Sequence, residues 1–485
     1  MSLHLPFPTF FKKINVVRRD EPNMAETIHK TTAELRALLK AGQTAEQAAL
    51  AKEGLLSARD RMALIFDEGT FVEVGAYIGR KRTELDRDDD DSFEPVITGY
   101  GAVNGELVYA FSQDYSRLHG ALGEMHAKKI VKIIEMADRA DAAIIGVFDS
   151  AGAKVLEGVD ALAGYGSIMA ALDCVTVPKI AVVSGTCGGS TAVVCEMFDI
   201  VIAAEKTGKI FAAPSGKKTA DIASDKGLYD IVCADDKAAL AKARALVAYF
   251  GEEIATADDA NRAVDVEGFI ATEGYNVRDV IANVFDLGSF TELGAHRANS
   301  MVTGFATVNG KPVAVVANNP ERKGGFICPG AAKKACKVLT IAFEQELPVV
   351  TLVDTVGIAD EADAEAKGLA ALLANLAKAY TRVGTDAITV VLGNAYGTAY
   401  TVMGSKALTG GLALALDSAK ISALSPASAV AFLDKVTDES KHKQTADEWA
   451  ARYASPLEAA KSGHIDDIIA SEELRQRIGA ALAVL

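Results

Sequence analysis

The sequence predicts an α/β protein built from two tandem copies of one unit behind a helical lead-in. Three observations predict it: a repeat at fixed spacing, the same order of strand and helix patterns in both copies, and Ala, Glu and Leu at helical spacing over about the first 50 residues. Thr98-Gly99-Tyr100-Gly101-Ala102-Val103-Asn104-Gly105 returns as Thr303-Gly304-Phe305-Ala306-Thr307-Val308-Asn309-Gly310, an offset of 205. The same offset carries Lys128-Lys129 onto Lys333-Lys334, Asp149 onto Asp354 and Gly152 onto Gly357. Upstream, the stretch 67–73 matches 286–292 at an offset of 219. The first copy therefore holds 14 surplus residues, and the acidic run Asp86-Arg87-Asp88-Asp89-Asp90-Asp91 falls among them as an expected exposed loop. Self-similarity at one spacing marks duplicated structural units.

Each copy reads as two strands, a helix and a further strand. β-rich stretches at 96–103 and 301–308 end in Asn-Gly, the strongest short hairpin signal. Second strands are expected at 107–111 and 312–317. The helix 123–140 carries Ile130, Ile133, Ile134 and Ala137 at helical spacing. Buried strands then run 142–148 and 348–353, and later ones 179–184 and 387–393. Repeated units of this kind make a mixed sheet with stacked helices. The expected division is 1–55 as the helical lead-in, 56–265 as one lobe and 266–485 as the other.

Composition narrows the function. Of 485 residues, 50% are hydrophobic and 24% charged, enough to bury large cores. A net charge of −15 argues against nucleic acid or an anionic membrane as the main partner. Six cysteines without a C-x-x-C pair speak against a zinc ribbon and for a reduced, cytoplasmic setting. The stretch 1–23 is broken by Pro6 and Pro8 and lacks the apolar core of a signal peptide. No apolar run reaches bilayer-spanning length.

Chemistry is expected at strand-to-helix turns. Asp149-Ser150-Ala151-Gly152-Ala153 and Gly185-Thr186-Cys187-Gly188-Gly189-Ser190 supply them in the first copy. Asp354-Thr355-Val356-Gly357-Ile358 and Asn394-Ala395-Tyr396-Gly397-Thr398-Ala399 supply them in the second. Small residues there let a ligand approach the backbone, and unpaired helix-start N–H groups face any anionic oxygen. His119 and His126 lie seven apart, but Gly324 and Ala331 replace them in the second copy, so packing is the expected role. Cys187 reads as a small buried filler. Asp149 and Asp354 read as braces for their turns, and no metal site is expected. The result is anion stabilisation without an evident general base.

These residues resemble the carboxyltransferase family of biotin-dependent acyl-CoA carboxylases and decarboxylases. The resemblance rests on Phe111-Ser112-Gln113-Asp114, Gly123-Glu124-Met125-His126-Ala127, Asp149-Ser150-x-Gly152-Ala153 and Glu157-Gly158-Val159. Leu56-x-Ala58-Arg59-x-Arg61 resembles the family's opening segment. In the second half it rests on Val302-Thr303-Gly304-Phe305 and on Ala395-Tyr396-Gly397-x-Ala399-Tyr400-x-Val402-Met403. It implies two tandem crotonase-like (ClpP/crotonase) ββα spirals moving CO2 between biotin and a CoA thioester. It also implies a homodimer or homohexamer with each site between two protomers. The N–H groups of Ala151 and Gly152 would face the thioester oxygen, and those of Thr398 and Ala399 the ureido oxygen. Gly188, Gly189, Tyr396, Gly397 and Thr401 would line the acyl-CoA and biotin positions. Biotin would ride on a separate carrier protein, charged by a biotin carboxylase or discharged by a membrane decarboxylase subunit. Ala151 stands where the family has glycine, and would be strained if its φ were positive. Two alternatives remain: a crotonase-type hydratase or thioesterase using Glu157 or Glu196 as base, and a catalytically silent CoA- or carrier-binding scaffold.

Overall fold

An eight-residue helix, α1 (Ala58–Ile65), opens the first copy under a capping box. The Ser57 side chain accepts from the Asp60 amide at 3.1 Å, and the Asp60 carboxylate accepts from the Ser57 amide. Its inner face buries Ala58, Arg61, Met62 and Ile65. The strands β1 (Val72–Glu73), β2 (Val96–Val103) and β3 (Glu106–Gln113) follow as an antiparallel set. Asn104 and Gly105 join β2 to β3 with φ of 54° and 91°, the left-handed pair a two-residue turn demands.

Next come α2 (Glu124–Ala140), β4 (Ala143–Ser150), α3 (Val159–Cys174) and β5 (Lys179–Gly188). The chain continues through α4 (Ser190–Cys195), β6 (Ile200–Ala204), β7 (Lys209–Phe211), β8 (Lys218–Thr219), β9 (Ile231–Cys233) and α5 (Asp236–Val247). β3 to β6 run parallel, so the first sheet is mixed, as expected.

The second copy repeats the order. It comprises α6 (Val277–Val284), β10 (Thr291–Leu293), β11 (Met301–Val308), β12 (Lys311–Asn318), α7 (Pro329–Glu344), β13 (Val349–Thr355) and α8 (Leu369–Val383). Then follow β14 (Ala387–Tyr396), α9 (Gly397–Val402), β15 (Leu412–Leu416), β16 (Lys420–Ser422), β17 (Asp467–Ile469) and α10 (Leu474–Leu482). The hairpin turn recurs at Asn309 and Gly310 with φ of 55° and 83°.

This computed structural model describes residues 31–37, 39, 48, 50, 52, 55–79, 81, 93–213, 218, 219, 227–432 and 439–485. The acidic run 86–91, the stretch 1–23 and most of the expected lead-in lie outside them; residues 32–37 are helical. The chain divides into two compact units, residues 1–55 and 56–485.

Duplication extends to buried charges. Arg244 on α5 reaches the Ile65 carbonyl, Asp67 and Asn104, and Arg475 on α10 reaches the equivalent Val284 carbonyl, Asp286 and Asn309. Each arginine ties a closing helix to the opening helix and hairpin of its own copy. Arg59 pairs with Glu73 at 2.8 Å, and Arg278 with Glu292 at 2.7 Å. Lys129 donates to the Val96 carbonyl at 2.5 Å, and Lys334 to the Met301 carbonyl at 2.8 Å. Burial pushes both lysines down to about 8. The copies are joined at Asp230, which accepts from Arg297 at 2.8 Å and from Lys337 at 2.5 Å. One apolar cluster runs from Met62 and Val108 to Phe305 and Val349, so the two sheets share a core within residues 56–485.

The expected strands 179–184 and 387–393 run longer, to Gly188 and Tyr396. After a register shift each strand changes partner: Thr186 pairs with Lys209 on β7, and Asn394 with Lys420 on β16. Much of what reads as glycine-rich loop is therefore strand.

Candidate active site

The site in the first copy grows from the parallel ends of β4 and β5. Asp149 closes β4 and braces the neighbouring strand. One carboxylate oxygen accepts from the Thr186 amide at 3.0 Å, the other from Arg61 at 2.9 Å. Arg61 also donates to Asp236 at 2.9 Å, so a buried guanidinium spans two acids. Burial pushes the Asp149 carboxyl up more than Arg61 pulls it down. Gly185 presses on this carboxylate; a Cβ there would sit 2.2 Å from its oxygen. Gln113 accepts from the Asp149 amide at 3.2 Å, and its own amide faces His126 at 3.4 Å. Fully buried, with Lys129 nearby, His126 is pushed down to about 3 and stays neutral. Arg61, named in the opening segment of the resemblance but given no role there, is the brace of this strand end. Its signal was a charged side chain on the apolar face of α1.

The turn after Asp149 does not present the amides expected of it. Ala151 donates to the His119 carbonyl at 2.9 Å, and Gly152 donates to the Ser150 hydroxyl at 3.2 Å. Both amides, expected to face the thioester oxygen, thus have partners within the protein, Ala151 across to His119 and Gly152 inside the turn. Alanine is tolerated at 151 because the positive φ, 125°, falls on Gly152. Gly188 is buried in β5, its Cα against the Phe211 ring and the Ala151 carbonyl.

Free donors lie one turn further on. Gly189, with φ of 61°, directs its own amide to the Phe211 carbonyl at 2.8 Å and turns the chain into α4. The N–H groups of Ser190 and Thr191 then open the helix, where no intrahelical carbonyl reaches them. The second copy does the same at an offset of 208, which carries Lys179 onto Ala387. Gly397 has φ of 56°, and Thr398 and Ala399 open α9. Ala399 is fully buried and Thr398 exposed, so this first turn lies at the edge of the core. Thr401 is exposed one turn along. Tyr396 points back, donating to Asn394 at 2.8 Å, and so braces the strand end rather than facing outward. Within each copy the two turns converge: Gly152 lies 3.4 Å from the Gly188 carbonyl when given a Cβ, and Gly393 lies against the Asp354 carboxylate.

Of the two candidate bases, Glu157 is engaged. Glu157 has a fully buried side chain held by Lys154 at 2.9 Å and the Glu124 amide at 2.7 Å. Glu196, raised to about 7 by burial, stands at the C-terminal end of α4 with Lys337, Asp230 and Arg297 nearby. Cys187 is buried, as its filler role requires. Among the described residues, no group of three or more His, Cys, Asp or Glu side chains could hold a metal. No helix there is long and apolar enough to cross a membrane.

Comparison with known proteins places this geometry. Residues 50–485 match the carboxyl transferase domain family. The chain is 33% identical over 467 residues to methylmalonyl-CoA decarboxylase subunit alpha of Propionigenium modestum, covering 89% of this chain and 90% of that one. It is 31% identical over 467 residues to the mitochondrial propionyl-CoA carboxylase beta chain of Homo sapiens, covering 90% and 86%. The solved structure of transcarboxylase 12S, a hexamer with hydrolysed methylmalonyl-coenzyme A bound, superposes with a TM-score of 0.86 at 29% identity over 95% of each chain. The chain belongs to the carboxyl transferase domain family.

Proposed function

We propose that this chain is the carboxyltransferase component of a biotin-dependent acyl-CoA carboxylase or decarboxylase, acting as a homo-oligomer in the cytoplasm. The lobes, 56–265 and 266–485, would each contribute one anion-binding turn. The observation that carries this reading is the matched pair of first-turn amides, Ser190 and Thr191 in one copy, Thr398 and Ala399 in the other. Biotin, brought by a carrier protein, supplies the carboxyl carrier and a ureido nitrogen able to take a proton. That fits a site in which Asp149 and Glu157 are buried and paired and His126 is buried and neutral. The chain's task is then electrostatic. Amides fixed by Gly189 and Gly397 hold oxygens that gain negative charge, one on the thioester as it becomes an enolate and one on the ureido group. Such donors are worth about 3 kcal/mol each in the transition state. They need no reorganisation, because the left-handed glycines and the strand ladder have already set their direction. Arg61, through Asp149 and Thr186, keeps the first-copy strand end in register. Charging or discharging biotin falls to a biotin carboxylase or a membrane decarboxylase subunit.

The purified protein with free biotin should decarboxylate methylmalonyl-CoA or malonyl-CoA slowly. Total inactivity of folded protein on every carboxyacyl-CoA tried would count against the proposal. The hydratase or thioesterase reading is disfavoured by the engaged Glu157, and Glu157→Gln should lower stability rather than selectively abolish activity.

A further inference from the structure

The duplication supplies its own control, and one buried position breaks the symmetry. In the first copy the strand-end aspartate has two partners: the Thr186 amide on one oxygen and Arg61 on the other. In the second copy Asp354 keeps the first partner, with Asn394 donating its amide at 2.8 Å and its side chain at 3.3 Å to the same oxygen. The offset of 219 puts Val280 where Arg61 stands, on the buried face of the opening helix. Among the described residues no cationic side chain pairs with Asp354, although it is only 7% exposed. A cavity of about 350 Å³ opens instead beside its carboxylate, lined by Tyr275, Asp354, Val356, Asn394, Ser418 and Lys420. The Tyr275 hydroxyl, in a residue 8% exposed, lines this cavity beside the Asp354 carboxylate and interacts with it. Lys420 and Glu273 both lie exposed at its rim and offset each other's charge.

We propose that this cavity is a binding site for a small organic cation carrying a guanidinium or primary ammonium group, held by the Asp354 carboxylate and the Tyr275 hydroxyl. The ligand takes the place that Arg61 fills covalently in the first copy. The argument is one of matched demand. A buried carboxylate needs a cationic or hydrogen-bonding partner. The first copy meets that need with a guanidinium at 2.9 Å, whereas the second keeps the carboxylate with neutral partners only, Asn394 and Tyr275. The cavity is larger than a guanidinium group alone, which leaves room for a short alkyl chain behind it. Its position behind the turn 354–358 and strand β14 lets occupancy stiffen the segment that leads into α9. The inference stands independently of the reaction assigned to that turn.

The test is titration calorimetry on the full-length oligomer with agmatine and methylguanidinium chloride, against potassium chloride at matched ionic strength. Saturable binding of the organic cations, weakened about ten-fold or more in Asp354→Asn and measurably in Tyr275→Phe, is the expected result; this is the scale of losing one charge-assisted hydrogen bond. Val280→Arg writes the guanidinium into the chain and should abolish binding while raising the melting temperature. If that variant does not fold, Asp354→Asn decides alone. Absence of saturable binding, equal response to potassium, or binding that survives in folded Asp354→Asn would overturn the proposal.

Discussion

Gly189 and Gly397 do the same work by different margins. Both hold left-handed φ, 61° and 56°, but a Cβ on Gly189 meets nothing within 4 Å, whereas one on Gly397 meets the Ala423 carbonyl at 3.2 Å. Gly189→Ala should therefore cost only the conformational strain, about 1–2 kcal/mol, and Gly397→Ala somewhat more. Either change should lower kcat for biotin-dependent decarboxylation of methylmalonyl-CoA by more than its stability loss explains, because it redirects the following amides. Denaturant unfolding beside steady-state kinetics separates the two effects. Arg61→Met should instead act mainly on stability. It leaves Asp149 and Asp236 buried without their cation, a loss of about 3–5 kcal/mol that chemical denaturation will read.

Helices and strands carry a pH signature of their own. Lys129 on α2 and Lys334 on α7 are held near 8 by burial, against an ordinary value of 10.5. The folded state then binds fewer protons than the unfolded chain between those values, so these lysines make stability rise with pH across that window. Below about 8 the cost of burying their charge is fully present. The difference in melting temperature between the protein and Lys334→Met should narrow as pH rises from 8 to 10.5. A constant difference would remove Lys334 from this account. At this scale the sequence was partly readable. The Asn-Gly hairpins and the strands 96–103 and 301–308 were legible because their turn chemistry is local. The overrun of β5 and β14 was not, since it depends on β7 and β16, which lie far along the chain. The ungapped repeat also stops at Gly357. The later turns align only after three added residues, and this hid the equivalence of Ser190 with Thr398; the expectation for Ala151 and Gly152 comes from the family resemblance instead. The Ala151 amide makes a tertiary bond to the His119 carbonyl, which no local pattern announces.

In the whole molecule, two copies share one core. A site that needs both is completed by a second protomer in our proposal. Co-expressing Gly189→Ala with Gly397→Ala chains should then restore activity to about a quarter of wild type. Half the dimers are mixed, and one of the two sites in each is intact. No recovery above the parent variants would place each site within one chain. The central claim is narrower still: catalysis rests on the amide hydrogens of the two helix-opening turns. Replacing Ala399 by lactic acid through the backbone turns its N–H into an ester oxygen while keeping the side chain. The account predicts a folded oligomer whose biotin-dependent decarboxylation of methylmalonyl-CoA falls by about 10²- to 10³-fold in kcat. An unchanged kcat in that ester variant would contradict it.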